Sequence, residues 1–292
     1  DLIHAFQEAY QNYSFLLKLC TLVANKSFMS FQNKVVWITG ASSGIGKALA
    51  LELSNQNALL IISARNKESL AAVKSSCKNS ENVWVLPLDL ENYKDFDKTT
   101  EQAIKVYGRI DILVNNGGIS QRSFAKDTLV SVDQKIMDIN YTGTIALTKA
   151  VLPHFLERQQ GHFVVTTSIV GKIGSPLRSS YAASKHALHG FFDSLRTEVY
   201  NDSIDVTLIC PGFVSTNISM NALTGDGTSQ QKMDSATANG ISPERFAKLM
   251  ANAIKNKKEE AYISGFKEKL GVYVKRWFPK VFSIMIRKMS VT

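Results

Sequence analysis

Cysteine is scarce in this chain: Cys20, Cys77 and Cys210 are the only three in 292 residues, and none forms a C-x-x-C pair. That excludes a disulfide framework and favours a disulfide-independent fold in a reducing compartment. The five histidines, His186 and His189 among them, show no metal spacing with acids or cysteines, so packing or surface roles are expected for them and no metal site. Long apolar runs are also missing. Residues 15–24 are apolar but interrupted by Lys18, and a bilayer span needs about 20 such residues. Low-complexity tracts and repeats at solenoid spacing are absent. Acidic charge is deficient towards the C-terminus: residues 255–288 carry ten Lys or Arg against three Glu, most of the net +9. This excess lies away from every motif below and accompanies no recognition element, so a nucleic-acid partner is not expected.

Short apolar runs alternate with longer amphipathic ones. Residues 35–39, 59–63, 83–86, 112–114, 163–167 and 206–209 lack interior charge, several are rich in Val and Ile, and they read as buried strands. Between them, residues 46–56, 67–77, 93–107 and 144–159 have helical character. Strands alternating with helices of this length predict βαβ units and a parallel sheet covered on both faces. The fold class is therefore α/β: one doubly wound Rossmann-type domain, with a short helical C-terminal extension. No Pro/Gly/Ser linker interrupts it. The expected organisation is an N-terminal extension at 1–30, a catalytic domain at 31–266 and a basic amphipathic tail at 267–292. The chain starts at Asp rather than Met, so either a segment precedes it or Met29 is a natural start after an extension. A further short strand is expected at 261–264, and a helix after Ser242-Pro243-Glu244, with Ser as N-cap and Pro in the first turn. The polar stretch 217–240 has the length and composition of a mobile substrate lid.

The chemistry concentrates at strand ends. The first strand runs into Thr39-Gly40-Ala41-Ser42-Ser43-Gly44-Ile45-Gly46 and then a helix. Glycines there permit a tight turn and close backbone approach to a pyrophosphate, which the helix N-terminus attracts with open N–H groups and partial positive charge. At the end of the second strand, Ser63-Ala64-Arg65-Asn66 contains no acid to hold a ribose hydroxyl. Arg65 suits a 2′-phosphate, so NADP(H) is expected rather than NAD. Asp89, with Leu90, and Asn115-Asn116-Gly117-Gly118 follow the third and fourth strands, at the sheet edge where such folds bind ligands. Tyr181 and Lys185 stand four apart on one helix face, with Ser168 thirteen residues upstream of Tyr181. An ammonium beside a phenol is expected to lower the phenol pKa from its ordinary value of about 10, making Tyr181 an acid or base near neutral pH.

These elements in order resemble the short-chain dehydrogenase/reductase family: T-G-A-S-S-G-I-G at 39–46, D-L at 89–90, N-N-G-G at 115–118 where most relatives carry N-N-A-G, Asn140, Ser168, Y-A-A-S-K at 181–185 and P-G-F-V-S-T at 211–216. The likeness runs from about residue 33 to 264. It implies a catalytic set of Asn140, Ser168, Tyr181 and Lys185. Tyr181 protonates the substrate carbonyl oxygen, Ser168 binds that oxygen, Lys185 tunes Tyr181 and holds the nicotinamide ribose, and Asn140 holds a water leading to solvent. The implied cofactor contacts are Gly40, Ser42, Ser43, Gly44, Ile45, Gly46, Arg65, Asn66, Asp89, Leu90, Asn116, Gly117, Tyr181, Lys185, Pro211, Gly212, Val214 and Thr216, with Thr216 on the carboxamide. A homodimer through the helices after Asn140 and Tyr181 is implied as well.

The expected function is an NADPH-dependent carbonyl reductase, reversible as an alcohol dehydrogenase. Ile218, Met220, Leu223 and Met233 suit an apolar substrate, and the resemblance implies a steroid, retinoid or xenobiotic carbonyl or alcohol. Thioesters on an acidic carrier stay open because the tail is basic. That tail mixes Tyr273, Trp277 and Phe278 with Lys and Arg, which suits a membrane interface or, equally, packing against protein. Localisation is expected in the cytoplasm or peripherally on the endoplasmic reticulum membrane. A non-catalytic NADP(H) sensor or membrane scaffold of the same fold is the competing class.

Overall fold

The computed structural model describes residues 30–288. The apolar run at 15–24, all of the expected N-terminal extension but Ser30, and the last four residues of the tail lie outside the described residues. Seven strands form one parallel sheet: β1 (Val35–Thr39), β2 (Leu59–Ser63), β3 (Val83–Val85), β4 (Ile112–Asn115), β5 (Gly161–Thr166), β6 (Ile204–Pro211) and β7 (Glu260–Ile263), in the order β3-β2-β1-β4-β5-β6-β7. Every residue of β1, β4 and β5 is buried, as a parallel sheet sandwiched between helices requires. The order reverses between β1 and β4. A crevice opens there at the carboxyl edge.

The covering helices are α1 (Gly44–Asn55), α2 (Lys67–Ser76), α3 (Phe96–Tyr107), α4 (Val130–Met137), α5 (Gly143–Arg158) and α6 (Ser179–Glu198), followed by α7 (Ser235–Ala238), α8 (Pro243–Lys255), α9 (Phe266–Trp277) and α10 (Pro279–Lys288). On one face α1 packs against α8; on the other, α3 packs against α5. Phe155, Phe163 and Phe192 are fully buried in the second layer, and the Phe155 and Phe163 rings lie 4.8 Å apart.

Several element ends differ from expectation, each for a local reason. Strand β6 begins at Ile204, before the charged Asp205, which the half-exposed edge tolerates through an ion pair with Lys257 at 2.8 Å. Strand β7 includes Glu260 rather than Ser264. The helix expected from 93 opens as a separate 3₁₀ turn, Tyr93–Asp95, before α3. Ser242 does cap α8, accepting from Arg245 N at 3.3 Å.

The stretch 217–240 is not the loose lid its composition suggests. Ser219 and Ala222 are fully buried. Leu223 N donates to Ser120 O at 2.9 Å, and its carbonyl accepts from Arg122 N at 2.8 Å. Its polar residues divide: Ser219, Asp234 and Thr237 are buried, while Asn217, Asn221, Asp226, Gln231 and Lys232 face solvent.

At the amino edge of the sheet, Asp111 gathers Val35 N at 2.9 Å, Arg158 Nη2 at 2.8 Å and Arg109 Nε at 3.0 Å. Burial raises the carboxyl pKa, but these hydrogen bonds and the arginine charges outweigh it and hold the group below its usual range. Its stabilisation is complete above the unfolded value of about 4 and is lost as pH falls through the folded value. Asp111→Ala is expected to lower unfolding free energy by about 3 kcal/mol, read from the urea midpoint, with dinucleotide binding retained because the cluster lies at the opposite edge.

Candidate active site

The turn after β1 is built for close backbone approach. Gly40 and Gly44 have φ of +63° and +54°, values that favour glycine. A Cβ on Gly40 would lie 2.7 Å from Gly117 Cα, and one on Gly46 would collide with Gly40 O and stand 2.6 Å from Asn116 Nδ2. Ser43 takes the N-cap position of α1 with extended backbone and no side-chain cap bond, so the first N–H groups of α1 point towards the crevice without a cap of their own. A dinucleotide pyrophosphate fits this cradle chemically.

The second wall comes from β4. Asn116 N and Gly117 N both donate to Thr39 Oγ1 at 3.0 Å. Asn116 Nδ2 donates to Thr39 O at 3.1 Å, and its Oδ1 accepts from Thr166 Oγ1 at 3.3 Å. Asn116 therefore serves as a tie between strands. Asp89 is exposed, its carboxylate accepting from Glu91 N at 3.1 Å, while Leu90 is buried against Gly117. Asn66 caps α2, its Oδ1 accepting from Ser69 N at 2.6 Å, and Arg65 beside it is exposed. Beyond β6, Thr216 rests against Gly44: a Cβ there would stand 3.1 Å from Thr216 Cγ2. Pro211 ends β6, Gly212 N donates to Ile263 O at 3.0 Å, and buried Val214 bridges to Ile241.

Ser168, Tyr181, Lys185 and Asn140 are all buried. Ser168 follows β5, and its Oγ accepts from Val170 N at 3.1 Å. It also lies within hydrogen-bonding reach of the Tyr181 phenol. Lys185 Nζ donates to Thr166 O at 2.8 Å and stands 5.8 Å from the Tyr181 ring centroid. Asn140 sits in a π-helical turn, Asp138–Thr142; its Oδ1 accepts from Ile119 N at 2.8 Å and its Nδ2 donates to Ile119 O at 2.9 Å and Ser184 Oγ at 3.1 Å. A Cβ on Gly118 would fall 2.9 Å from Asn140 Oδ1 and 3.6 Å from Lys185 Nζ, so glycine lets this loop seat against Asn140 and α6.

The electrostatics correct one expectation. The Tyr181 pKa is raised, not lowered: burial dominates, opposed by the Ser168 hydrogen bond and by the charges of Arg178 and Arg122. Lys185 does not supply the expected relief because its ammonium is turned to a carbonyl and is itself buried. Burial pushes Lys185 down to about 8.

The short chain dehydrogenase family matches residues 34–226. This chain belongs to it. The short-chain dehydrogenase relatives include "Dehydrogenase/reductase SDR family protein 7-like" of Anopheles gambiae, 40% identical with 94% of this chain and 89% of that one covered. They also include "Dehydrogenase/reductase SDR family member 7" of Homo sapiens, 43% identical over 84% of this chain and 74% of that one. Among solved structures, a short chain dehydrogenase/reductase from Burkholderia phymatum in complex with NAD superposes with a TM-score of 0.77 at 21% identity, covering 87% of this chain and 96% of the other. A short-chain dehydrogenase from Streptomyces avermitilis gives 0.74 at 25% identity, covering 90% and 100%. The protein is accordingly an oxidoreductase of a fold that binds a nicotinamide dinucleotide, and no described helix is long and apolar enough to cross a membrane.

Sequence spacing missed two groupings in this dehydrogenase. Arg122 and Arg178 act on Tyr181 from different loops; their signal was the S-Q-R-S run after β4 and an arginine three residues before Tyr181. His189, Cys210 and Glu260, far apart in the chain, place ligand-type atoms within 4.8 Å of one another. Glu260 is held there by Lys172 Nζ at 2.7 Å and accepts from Tyr262 OH at 3.0 Å. His189 Nδ1 is 3.4 Å from Glu260 Oε1 without the alignment of a hydrogen bond. Burial pushes the Cys210 thiol up to about 12 and His189 down to about 4, so both are neutral at physiological pH.

Gly46→Ala should weaken dinucleotide binding at least about tenfold, or about 1.4 kcal/mol, in a fluorescence titration. Gly174→Ala, where an added Cβ meets nothing within 4 Å, should leave it unchanged.

Proposed function

We propose that the protein is an NADPH-dependent carbonyl reductase, reversible as an alcohol dehydrogenase, acting on an apolar ketone, aldehyde or secondary alcohol of steroid, retinoid or xenobiotic type. The observation that carries this reading is the convergence of Ser168, Tyr181 and Lys185, all buried, at the carboxyl edge beside the glycine cradle. A sensor or scaffold that only binds nucleotide has no use for a buried phenol and ammonium, each costly to desolvate.

When bound, the reduced nicotinamide supplies the hydride. Gly40 and Ser42 to Gly46 receive the pyrophosphate, with Asp89, Leu90, Asn116, Gly117, Pro211, Gly212, Val214 and Thr216 forming the rest of the cleft. Exposed Arg65, with no acid beside it, supports a 2′-phosphate and hence NADP(H). Tyr181, like any phenol, holds a proton at neutral pH, which burial reinforces, and it would donate that proton to the substrate carbonyl oxygen. Ser168 Oγ accepts from Val170 N, leaving its own O–H to donate to the same oxygen. Lys185 spends one donor on Thr166 O and retains two for the ribose hydroxyls. Asn140, both ends of its amide engaged, locks the loop at Gly118 and Ile119 against α6 and leaves a water relay to its main chain.

Trp277, Phe278 and Val281 are exposed on the basic α9–α10 hairpin, which supports peripheral membrane contact. Partly buried Tyr141, Ala146, Ala150 and Phe191 on and beside α5 and α6 support a homodimer through those helices.

Tyr181→Phe should abolish NADPH oxidation across a panel of ketones and retinal while NADPH still binds. Turnover retained in that variant would sink the mechanism, and no turnover of any panel member by the parent protein would favour the sensor. For reduction, kcat/KM should fall on the alkaline side starting near pH 8, where buried Lys185 loses its charge, and alcohol oxidation should extend to higher pH as phenolate forms.

A further inference from the structure

The loop that leaves β6, residues 212–216, is fixed to its surroundings at successive backbone groups. Gly212 N donates to Ile263 O, Phe213 O accepts from Ile241 N, and Ser215 N donates to Ile241 O, each at 3.0 Å. Those partners are all main-chain groups. The remaining tie is a side chain: Phe213 N donates to Glu268 Oε1 at 3.0 Å. Glu268 lies in the first turn of α9, inside the basic C-terminal segment that the proposed reaction does not use.

The carboxylate occupies a slot that two glycines leave open. A Cβ on Gly212 would lie 2.5 Å from Glu268 Oε1 and 2.6 Å from Ser264 Cβ, and one on Gly265 would lie 2.5 Å from Glu268 Oε2. Neither glycine has the left-handed φ that would by itself call for glycine. Room for Glu268, with Ser264 beside it at Gly212, accounts for the missing side chain at both positions. Helix α9 is anchored in turn. Phe282 of α10 is buried in a cluster with Ile169, Ile173 and Cys210, and Val272 and Val274 of α9 pack against the same group. The hairpin therefore rests on the turn after Ser168 and on the end of β6, which seats Glu268 opposite Phe213 N.

Phe213 is only partly buried, so water would satisfy its N–H without help. A carboxylate brought in from 55 residues further along the chain adds order to the loop instead. A loop ordered in advance binds its ligand without the cost of ordering it. We propose that Glu268 is a positioning residue for the dinucleotide. By holding Phe213 N it keeps 212–216 in the shape that receives the nicotinamide end, and the C-terminal hairpin is thereby part of the cofactor site. The inference rests on the reading of 212–216 as that wall of the cleft.

The test compares two ligands by isothermal titration calorimetry on the full chain. One is NADPH; the other is adenosine 2′,5′-bisphosphate, which carries the adenosine end and its 2′-phosphate without the nicotinamide. Glu268→Ala should bind NADPH about tenfold more weakly, as expected for one charge-assisted hydrogen bond, and bind the bisphosphate as the parent does. Glu268→Gln keeps an acceptor oxygen and should recover most of the NADPH affinity. Glu268→Asp, one methylene shorter, replaces Glu268→Ala if that variant does not fold. Neither ligand is turned over, so the result stands apart from the reductase assay. Should the parent prefer NADH, the NADP(H) reading fails separately, and the same comparison with NADH and ADP decides the proposal. Weakening confined to the nicotinamide ligand and recovered in Glu268→Gln supports it. Equal or greater weakening of the adenosine ligand, as from a loosened fold, would overturn it. So would no weakening at all, or a Glu268→Gln variant no better than Glu268→Ala.

Discussion

A threonine hydroxyl and an asparagine amide hold the carboxyl edge of this sheet together. Thr39 Oγ1 receives Asn116 N and Gly117 N and donates to Val114 O, while the Asn116 side chain reaches Thr39 O and accepts from Thr166. Three adjacent strands, β1, β4 and β5, are stitched at the level where parallel strands deliver their loops. The stitch brings the glycine turn, the N-N-G-G loop and the acceptor of Lys185, Thr166 O, into one crevice. With backbone groups satisfied this way, glycine at 40 and 46 is a steric necessity of close approach.

Within that crevice, burial sets the protonation states. A phenol and an ammonium placed together in low dielectric are both pushed towards neutrality, the phenol up and the ammonium down. A protonated phenol is the form a carbonyl reductase needs, so desolvation serves the proposed direction of reaction. The counterweight comes from Arg122 and Arg178, on two different loops. The Asp111 cluster at the amino edge shows the contrast: there, partners outweigh burial, and the result is structural.

Much of this was legible from residues alone. Strands β1 and β2 fall where their charge-free Val and Ile runs end, because burial on both faces excludes charge. Strand β6 runs beyond its charge-free stretch because partly exposed Asp205 pairs with Lys257, in the turn before the neighbouring β7. The Tyr181, Lys185 and Ser168 set was visible in spacing, but the sign of the phenol shift was not. It depends on where the ammonium points, which Thr166 O decides. The folded character of 217–240 was equally hidden, because Asp234 looks like a solvent-facing residue until Arg122 is found opposite it, and Leu223 pairs with the Ser120 backbone. Asn66, expected among the cofactor contacts, also caps α2 through its Oδ1.

The account is tested most directly by a crystal structure of the protein with NADP(H) bound. It predicts the pyrophosphate over the N–H groups that open α1, the 2′-phosphate at Arg65, and the Tyr181 hydroxyl facing the nicotinamide with Ser168 beside it. A dinucleotide bound elsewhere, or a Tyr181 hydroxyl directed away from the ring, would contradict it.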